Sequence, residues 1–253
     1  MSSSFDMTAS GFERWRGLPF EAVQGILSAI RGAVALPSPA RVLDLGAGTG
    51  RIGKAFVIAG DFYTGVDSSL AMLQQFPAAG DRCHLVQADG GQLPFRDAIF
   101  DLVLLMQVLS TADSQKILCE ARRVLRSGGA VAVGHTMRPE EGIDARLKRQ
   151  LAATLEEMHV AWHEPKKSRR QALALLKNSA ARHVHLGAAT WSVHTSAKEF
   201  LERRRTGARF AALPADVQEQ ALARLRAWAE ANFGSVKTEF QEARSFELDI
   251  FQF

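Results

Sequence analysis

The sequence predicts an α/β fold, a doubly wound sheet of mostly parallel strands, on three observations. A glycine-rich turn, Gly46-Ala-Gly48-Thr-Gly50, follows the apolar stretch at residues 41–45 and leads into a helical pattern. Short apolar runs recur downstream, and the next two, at residues 62–67 and 84–89, end in a carboxylate. Between later runs the apolar residues fall at helical spacing, and this alternation implies parallel strands joined by right-handed crossovers. At 253 residues, 47% of them apolar, the chain is long enough for one such domain plus additions.

The elements follow in order. Residues 20–36 place Val23, Ile26, Leu27, Ile30 and Val34 on one face behind Pro19, and read as a helix packed on the sheet. Residues 41–45 are a buried strand. Glycine suits the turn after it, because it accepts positive φ and lets backbone approach a ligand. The helix that follows presents unpaired N–H groups and the positive end of its dipole. Phe62-Tyr-Thr-Gly-Val-Asp67 is a second strand, and an acidic residue at this distance can accept hydrogen bonds from ribose hydroxyls. His84-Leu-Val-Gln-Ala-Asp89 is a third, and the nearly unbroken apolar run Phe100-Asp-Leu-Val-Leu-Leu-Met106 a fourth, covered on both faces. Residues 114–126 carry Ile117, Leu118, Ala121, Val124 and Leu125 at helical spacing up to Gly128-Gly129, with Cys119 on the apolar side. Residues 130–133 are a fifth strand. Residues 140–181 look helical, with a break near Pro165. Residues 190–195 read as a sixth strand, 216–233 as an amphipathic helix closed by Gly234, and 246–253 as a last strand.

Composition narrows the function. A net charge of +4 is modest, and the basic residues gather in short runs, Lys166-Lys167 with Arg169-Arg170 and Arg203-Arg-Arg205. Such runs read first as solvated helix faces and second as contacts for RNA or an anionic substrate. With Trp162 alone near the first run, stacking on bases has thin support, so nucleic acid is not the expected partner. Two cysteines, Cys83 and Cys119, make neither a disulfide framework nor a metal set. No apolar segment has spanning length and the first residues lack a secretory pattern, so the expected compartment is the cytoplasm.

Taken together, Val42-Leu-Asp-Leu-Gly-Ala-Gly-Thr-Gly50, Gly65-Val-Asp67 with Ser69 and Met72, Gln87-Ala-Asp89, Leu93-Pro-Phe95, Phe100-Asp-Leu-Val103 and Val124-Leu-Arg-Ser-Gly-Gly129 resemble the class I S-adenosylmethionine-dependent methyltransferases. The resemblance is to their small-molecule branch, similar to the ubiquinone/menaquinone-biosynthesis type, and covers residues 40–135. It implies a Rossmann-like seven-stranded sheet with an antiparallel last strand and a helical insertion after strand 5. The expected division is an N-terminal arm and helix (1–39), a cofactor core (40–135), a helical lid (136–186) and C-terminal elements completing the sheet (187–253). Phe12-Glu-Arg-Trp-Arg16 resembles an arm that closes over the cofactor, with a surface tail as the other reading. The family usually has Pro where Ser127 stands, and often His where Ser110 stands.

The resemblance also implies roles. Gly46, Ala47 and Gly48 would let backbone approach the methionine part of S-adenosylmethionine, with Asp44 orienting its ammonium. Asp67, with Ser68 beside it, would take the ribose hydroxyls; Met72 would pack on adenine; Asp89 and Gly90 would meet its amino group. Gln107 would face the junction of cofactor and acceptor. Methyl transfer is an in-line displacement that needs positioning more than a catalytic dyad. If the acceptor must lose a proton, His135 after the fifth strand is the candidate base, ahead of His159 and His163 in the lid.

Other readings stay open. A dinucleotide turn runs Gly-x-Gly-x-x-Gly, which Gly53 could complete, but Asp44 would repel a pyrophosphate and suits an ammonium. An NAD-dependent oxidoreductase is therefore the weaker alternative, and a non-catalytic S-adenosylmethionine-binding protein is the other. Met106-Gln-Val-Leu-Ser110 is not the Asn/Asp-Pro-Pro-aromatic stretch of amino-group methyltransferases, nor does it hold the cysteine of cytosine C5 enzymes. No carboxylate cluster suggests a metal of the catechol type. A small organic acceptor remains, with Trp162 and Trp191 suggesting apolar character.

Overall fold

The computed structural model describes residues 17–77, 80–109, 114–162, 166–205 and 207–253. Seven strands form one sheet: β1 (Arg41–Leu45), β2 (Phe62–Asp67), β3 (Cys83–Gln87), β4 (Phe100–Met106), β5 (Leu125–Met137), β6 (Arg182–Ser196) and β7 (Glu239–Gln252). Their order is β3-β2-β1-β4-β5-β7-β6. Strands β1 to β5 pair in parallel, and β7 runs antiparallel between β5 and β6. The order reverses between β1 and β4, the kind of point where open α/β sheets bind ligands.

Both faces of the sheet are covered. On one side α1 (Phe20–Ala33) and α2 (Gly53–Ile58) bury Ile26, Ile30 and Phe56 against Val42, Leu102, Leu104 and Ile250. On the other, α4 (Ser114–Val124) and α6 (Lys166–Ser179) bury Ile117, Leu118, Ala172 and Leu176 against Leu43, Val103, Leu105 and Phe251. Neighbouring residues of β1 and β4 therefore go to opposite cores, as the pleat requires. The four-residue α3 (Leu70–Leu73) is capped by Ser69, whose Oγ accepts from the Met72 N–H at 3.3 Å.

A third cluster sits apart from the sheet. Helices α5 (Ile143–Glu157), α7 (Ala197–Arg205), α8 (Ala208–Ala211) and α9 (Ala215–Phe233) bury Leu147, Leu151, Phe200, Phe210 and Leu225 together. The insertion expected over residues 136–186 thus divides: α5 joins this helical layer, whereas α6 packs on the sheet beside α4. Strand β6 starts at Arg182 rather than near residue 190, because Val184, Leu186 and Ala188 already alternate inward. Likewise β5 begins at Leu125, so α4 ends two residues earlier than its periodicity suggests. Cys119 is exposed, not core: the buried face of α4 runs through Ile117, Leu118, Ala121 and Val124 and leaves it outside. Among the described residues no helix is long and apolar enough to cross a membrane.

Candidate functional site

A cavity of about 250 Å³ opens at the carboxyl ends of β1, β2, β3 and β4. Its wall includes Gly46, Ala47, Gly48, Asp67, Ser68, Met72, Asp89, Gly90 and Gln107, nine residues that sequence reasoning had singled out. The same wall contains Thr49, Arg51, Val66, Ala88, Met106, Val108 and Ile117, which it had not. Arg51 directly follows the glycine turn; the apolar members carry no local signal beyond strand or helix periodicity.

The glycines do different jobs. Gly46 has φ +78° and Gly48 φ +56°, backbone that other L residues rarely adopt. A Cβ on Gly46 would strike Val108 Cγ2 at 2.4 Å, whereas one on Gly48 would meet nothing nearer than 4.0 Å. Gly48 is thus the position where open space comes against bare backbone. Gly53 faces protein: its Cβ would lie 2.1 Å from the Tyr63 hydroxyl. It serves close packing of α2 on β2.

The amides of the turn point inward. Gly46 and Ala47 both donate to the Val66 carbonyl, at 2.8 and 3.0 Å, and Gly50 donates to Ala47 O at 3.0 Å. Gly48 N–H donates to Asp67 Oδ2 at 2.9 Å. These donors are satisfied within the protein, so they do not form a phosphate cradle. Asp67 Oδ1 accepts from the Ser69 N–H at 2.9 Å. A carboxylate oxygen can accept more than one hydrogen bond. Asp89 is similar: its Oδ1 accepts from the Gly91 N–H at 2.8 Å.

Gln107 sits with φ +64°, a strained conformation for a residue with a side chain. Two hydrogen bonds hold it there. Its N–H donates to Gly134 O at 2.8 Å and its Nε2 to Thr136 Oγ1 at 2.9 Å. Arg51 reaches its Oε1 at 3.5 Å. Gln107 and Arg51 also line a second recess, of about 270 Å³, together with Thr136, Trp191 and several basic side chains.

Two candidates lie outside the wall of the first cavity. Asp44 shares its face of β1 with Val42, and the pleat turns it beneath the turn, where it is buried and its Oδ2 accepts from the Tyr63 hydroxyl at 2.8 Å. Its Oδ1 is buried and has no hydrogen-bond partner among the described residues. Burial, opposed by the Tyr63 hydrogen bond and reinforced by Asp67, raises its pKa to about 7. His135 is the second. Its neighbour Thr136 faces the recess, so alternation along β5 sends the imidazole to the other side. There Arg169 NH2 lies 2.8 Å from its Nδ1. Burial and the Arg169 charge lower its pKa to about 4, leaving a neutral ring engaged by a guanidinium rather than a base at the cavity.

The remaining candidates add little. His159 is exposed beyond α5. Trp162 stacks edge-on against Phe210 at 6.4 Å in the helical layer, while Trp191 lines the recess. His163, Ser110 and the segment at residues 12–16 lie outside the described residues.

Known proteins are similar to this chain. The family model described as a methyltransferase domain matches residues 43–133. A malonyl-[acyl-carrier protein] O-methyltransferase from Pseudescherichia vulneris is 36% identical over 170 residues, covering 59% of this chain and 68% of that protein. A demethylmenaquinone methyltransferase from Tropheryma whipplei is 40% identical over 98 residues; the match covers 36% of this chain and 40% of that protein's length. Among solved structures, the YcgJ protein of Bacillus subtilis superposes with a TM-score of 0.58 at 19% identity, over 90% of this chain and 98% of that one, a likeness of fold.

Proposed function

The chain belongs to the class I S-adenosylmethionine-dependent methyltransferases, and from that premise we propose that it moves a methyl group from S-adenosylmethionine to a small organic acceptor. The cofactor supplies a methyl already activated on a sulfonium, open to in-line attack. The protein's part is then to bind, orient and exclude water.

In this reading Gly48 gives the methionine part room against the backbone, and Asp67, oriented by the Gly48 and Ser69 amides, accepts from the two ribose hydroxyls. Met72 and Ile117 provide apolar walls for the adenine, with Asp89 and Gly90 at its polar edge. Gln107, fixed by Thr136, marks the passage toward the acceptor. Asp44 acts from below, holding β1 to β2 through Tyr63. No base is assigned: positioning a nucleophile within van der Waals reach of the methyl supplies the larger part of the rate.

The observation that carries the reading is the pairing of an open approach at Gly48 with the Asp67 carboxylate, in a turn where the Gly46, Ala47, Gly48 and Gly50 amides are spent internally. That suits a ribose and a zwitterion and offers little to a pyrophosphate. Calorimetric titration tests it. Wild type should bind S-adenosylmethionine and S-adenosylhomocysteine and not NAD. Asp67→Asn should weaken both by at least about tenfold, the scale of one charge-assisted hydrogen bond. Preference for NAD, or undiminished affinity in a folded Asp67→Asn protein, would refute the assignment.

A further inference from the structure

We propose that Glu120 and Arg123 of α4 are positioning residues for the methyl donor. They fix the loop after β3 so that Asp89 and Gly90 meet the adenine edge, and they thereby set the preference for adenine over other purines. The inference rests on the methyltransferase reading, since it concerns how that cavity recognises the base of its cofactor.

Residues 88–99 join β3 to β4 without helix or strand. The first of them, Ala88, Asp89 and Gly90, line the cavity. The near end is tied to β2, where the Ala88 N–H donates to Asp67 O at 3.1 Å. The turn then closes on itself: the Gly91 N–H donates to Asp89 Oδ1 at 2.8 Å and the Gln92 N–H to Asp89 O at 3.0 Å. The far end is held by α4, whose Glu120 Oε2 accepts from the Leu93 N–H at 2.7 Å.

Arg123 spends every guanidinium nitrogen on the same hold. Its Nε and NH2 fork onto the two Glu120 oxygens, both at 2.7 Å. NH2 also donates to Leu93 O at 3.2 Å, while NH1 donates to Phe95 O at 2.7 Å and to Asp97 Oδ1 at 2.8 Å. A planar fork of donors can make such a set, and a lysine ammonium cannot reproduce it. The run Leu93-Pro-Phe95 thus gains a role that its apolar character does not suggest. The same helix also supplies a wall of the site. Ile117 lines the cavity, 3.5 Å from where a Cβ on Gly90 would stand, and lies one turn before Glu120. One rigid element therefore fixes both the apolar wall for the adenine and the loop that carries its polar edge.

Stability alone accounts for little of this arrangement. Asp97 is 75% exposed and Arg123 32%, and ion pairs so open to water contribute little to the fold. The Leu93 side chain is buried beside α4, which fixes its depth. Hydrogen bonds need alignment, so those to the Leu93 backbone fix the direction in which the chain leads back to Asp89.

The test is calorimetry on the full chain with S-adenosylhomocysteine and with its deaminated analogue S-inosylhomocysteine, which lacks the exocyclic amino group. Wild type should bind the adenosyl compound about tenfold or more tightly, the scale of a hydrogen bond to a charged group. R123K, R123Q and E120A should each lower that preference about threefold or more, a usual size for coupling within one network. The loss should fall on the adenosyl compound alone, and R123Q/E120A should lose no more than the single variants. Equal weakening of both compounds would show a merely structural role, and an unchanged preference no role; either overturns the proposal. Binding of S-inosylhomocysteine certifies that each variant is folded, and R123K, which keeps the charge, is the mildest of them. Wild type that binds both compounds alike would also overturn the proposal, whereas wild type that binds neither would refute the cofactor reading itself.

Discussion

At Asp44 the sequence places a carboxylate one residue short of the end of a strand, and the fold buries it against Tyr63. Its pKa of about 7 has a consequence for stability. The unfolded chain releases this proton near 3.8, the folded chain holds it to about 7. Between those values the folded state carries the extra proton, so this group's contribution falls as pH rises, by at most about 1.4 kcal/mol per pH unit. Melting temperatures of the ligand-free protein should therefore fall from pH 5 to 7 more steeply in wild type than in Asp44→Asn; parallel profiles would refute this. The glycines make a second contrast. Gly53→Ala forces a Cβ against the Tyr63 hydroxyl and should cost about 1–3 kcal/mol in urea unfolding. Gly48→Ala meets only its positive φ, a loss of about 1 kcal/mol, and should instead impair cofactor binding. The turn was legible because its backbone demands are local. The Tyr63 partnership that determines what Asp44 does was not, since it depends on a side chain from the neighbouring strand.

Between elements, Asp144 is the joint that ties α5 to α7, β7 and the segment after β5. Burial alone would raise its carboxyl, but the charges of Arg203, Arg138 and Arg244 outweigh that and hold it below its usual 3.8. A depressed carboxyl stabilises the fold above that value and loses the contribution as pH falls through the folded pKa. Asp144→Asn, which leaves the guanidinium groups facing one another, should cost about 3–5 kcal/mol in equilibrium unfolding. A cost under about 1 kcal/mol would mean that the cluster is solvated. The helices around this joint were readable as helices, but their partners were not. Periodicity showed an apolar face on residues 216–233; only tertiary packing puts that face on α5 rather than on the sheet. The early half of β6 was not read as a strand, although Val184, Leu186 and Ala188 alternate there with His183, His185 and Gly187. His135 was misplaced for a related reason: position at a strand's carboxyl end was clear, but the side of the sheet was not.

For the whole molecule, the mostly parallel sheet and a ligand cavity at its carboxyl ends were legible in the strand–helix alternation and the carboxylate-ended strands; the strand order and its reversal between β1 and β4 come from the fold. The recess was not legible. Six cations drawn from five parts of the chain leave no pattern in a linear sequence, and only the folded chain brings them beside Arg51 and Gln107. The most direct measurement is a crystal structure of the protein soaked with S-adenosylhomocysteine at a saturating concentration. The account predicts ligand density bounded by Gly48, Asp67, Asp89 and Gln107, with the ribose hydroxyls within hydrogen-bonding distance of Asp67. Density elsewhere, or an empty cavity at saturation, would contradict it.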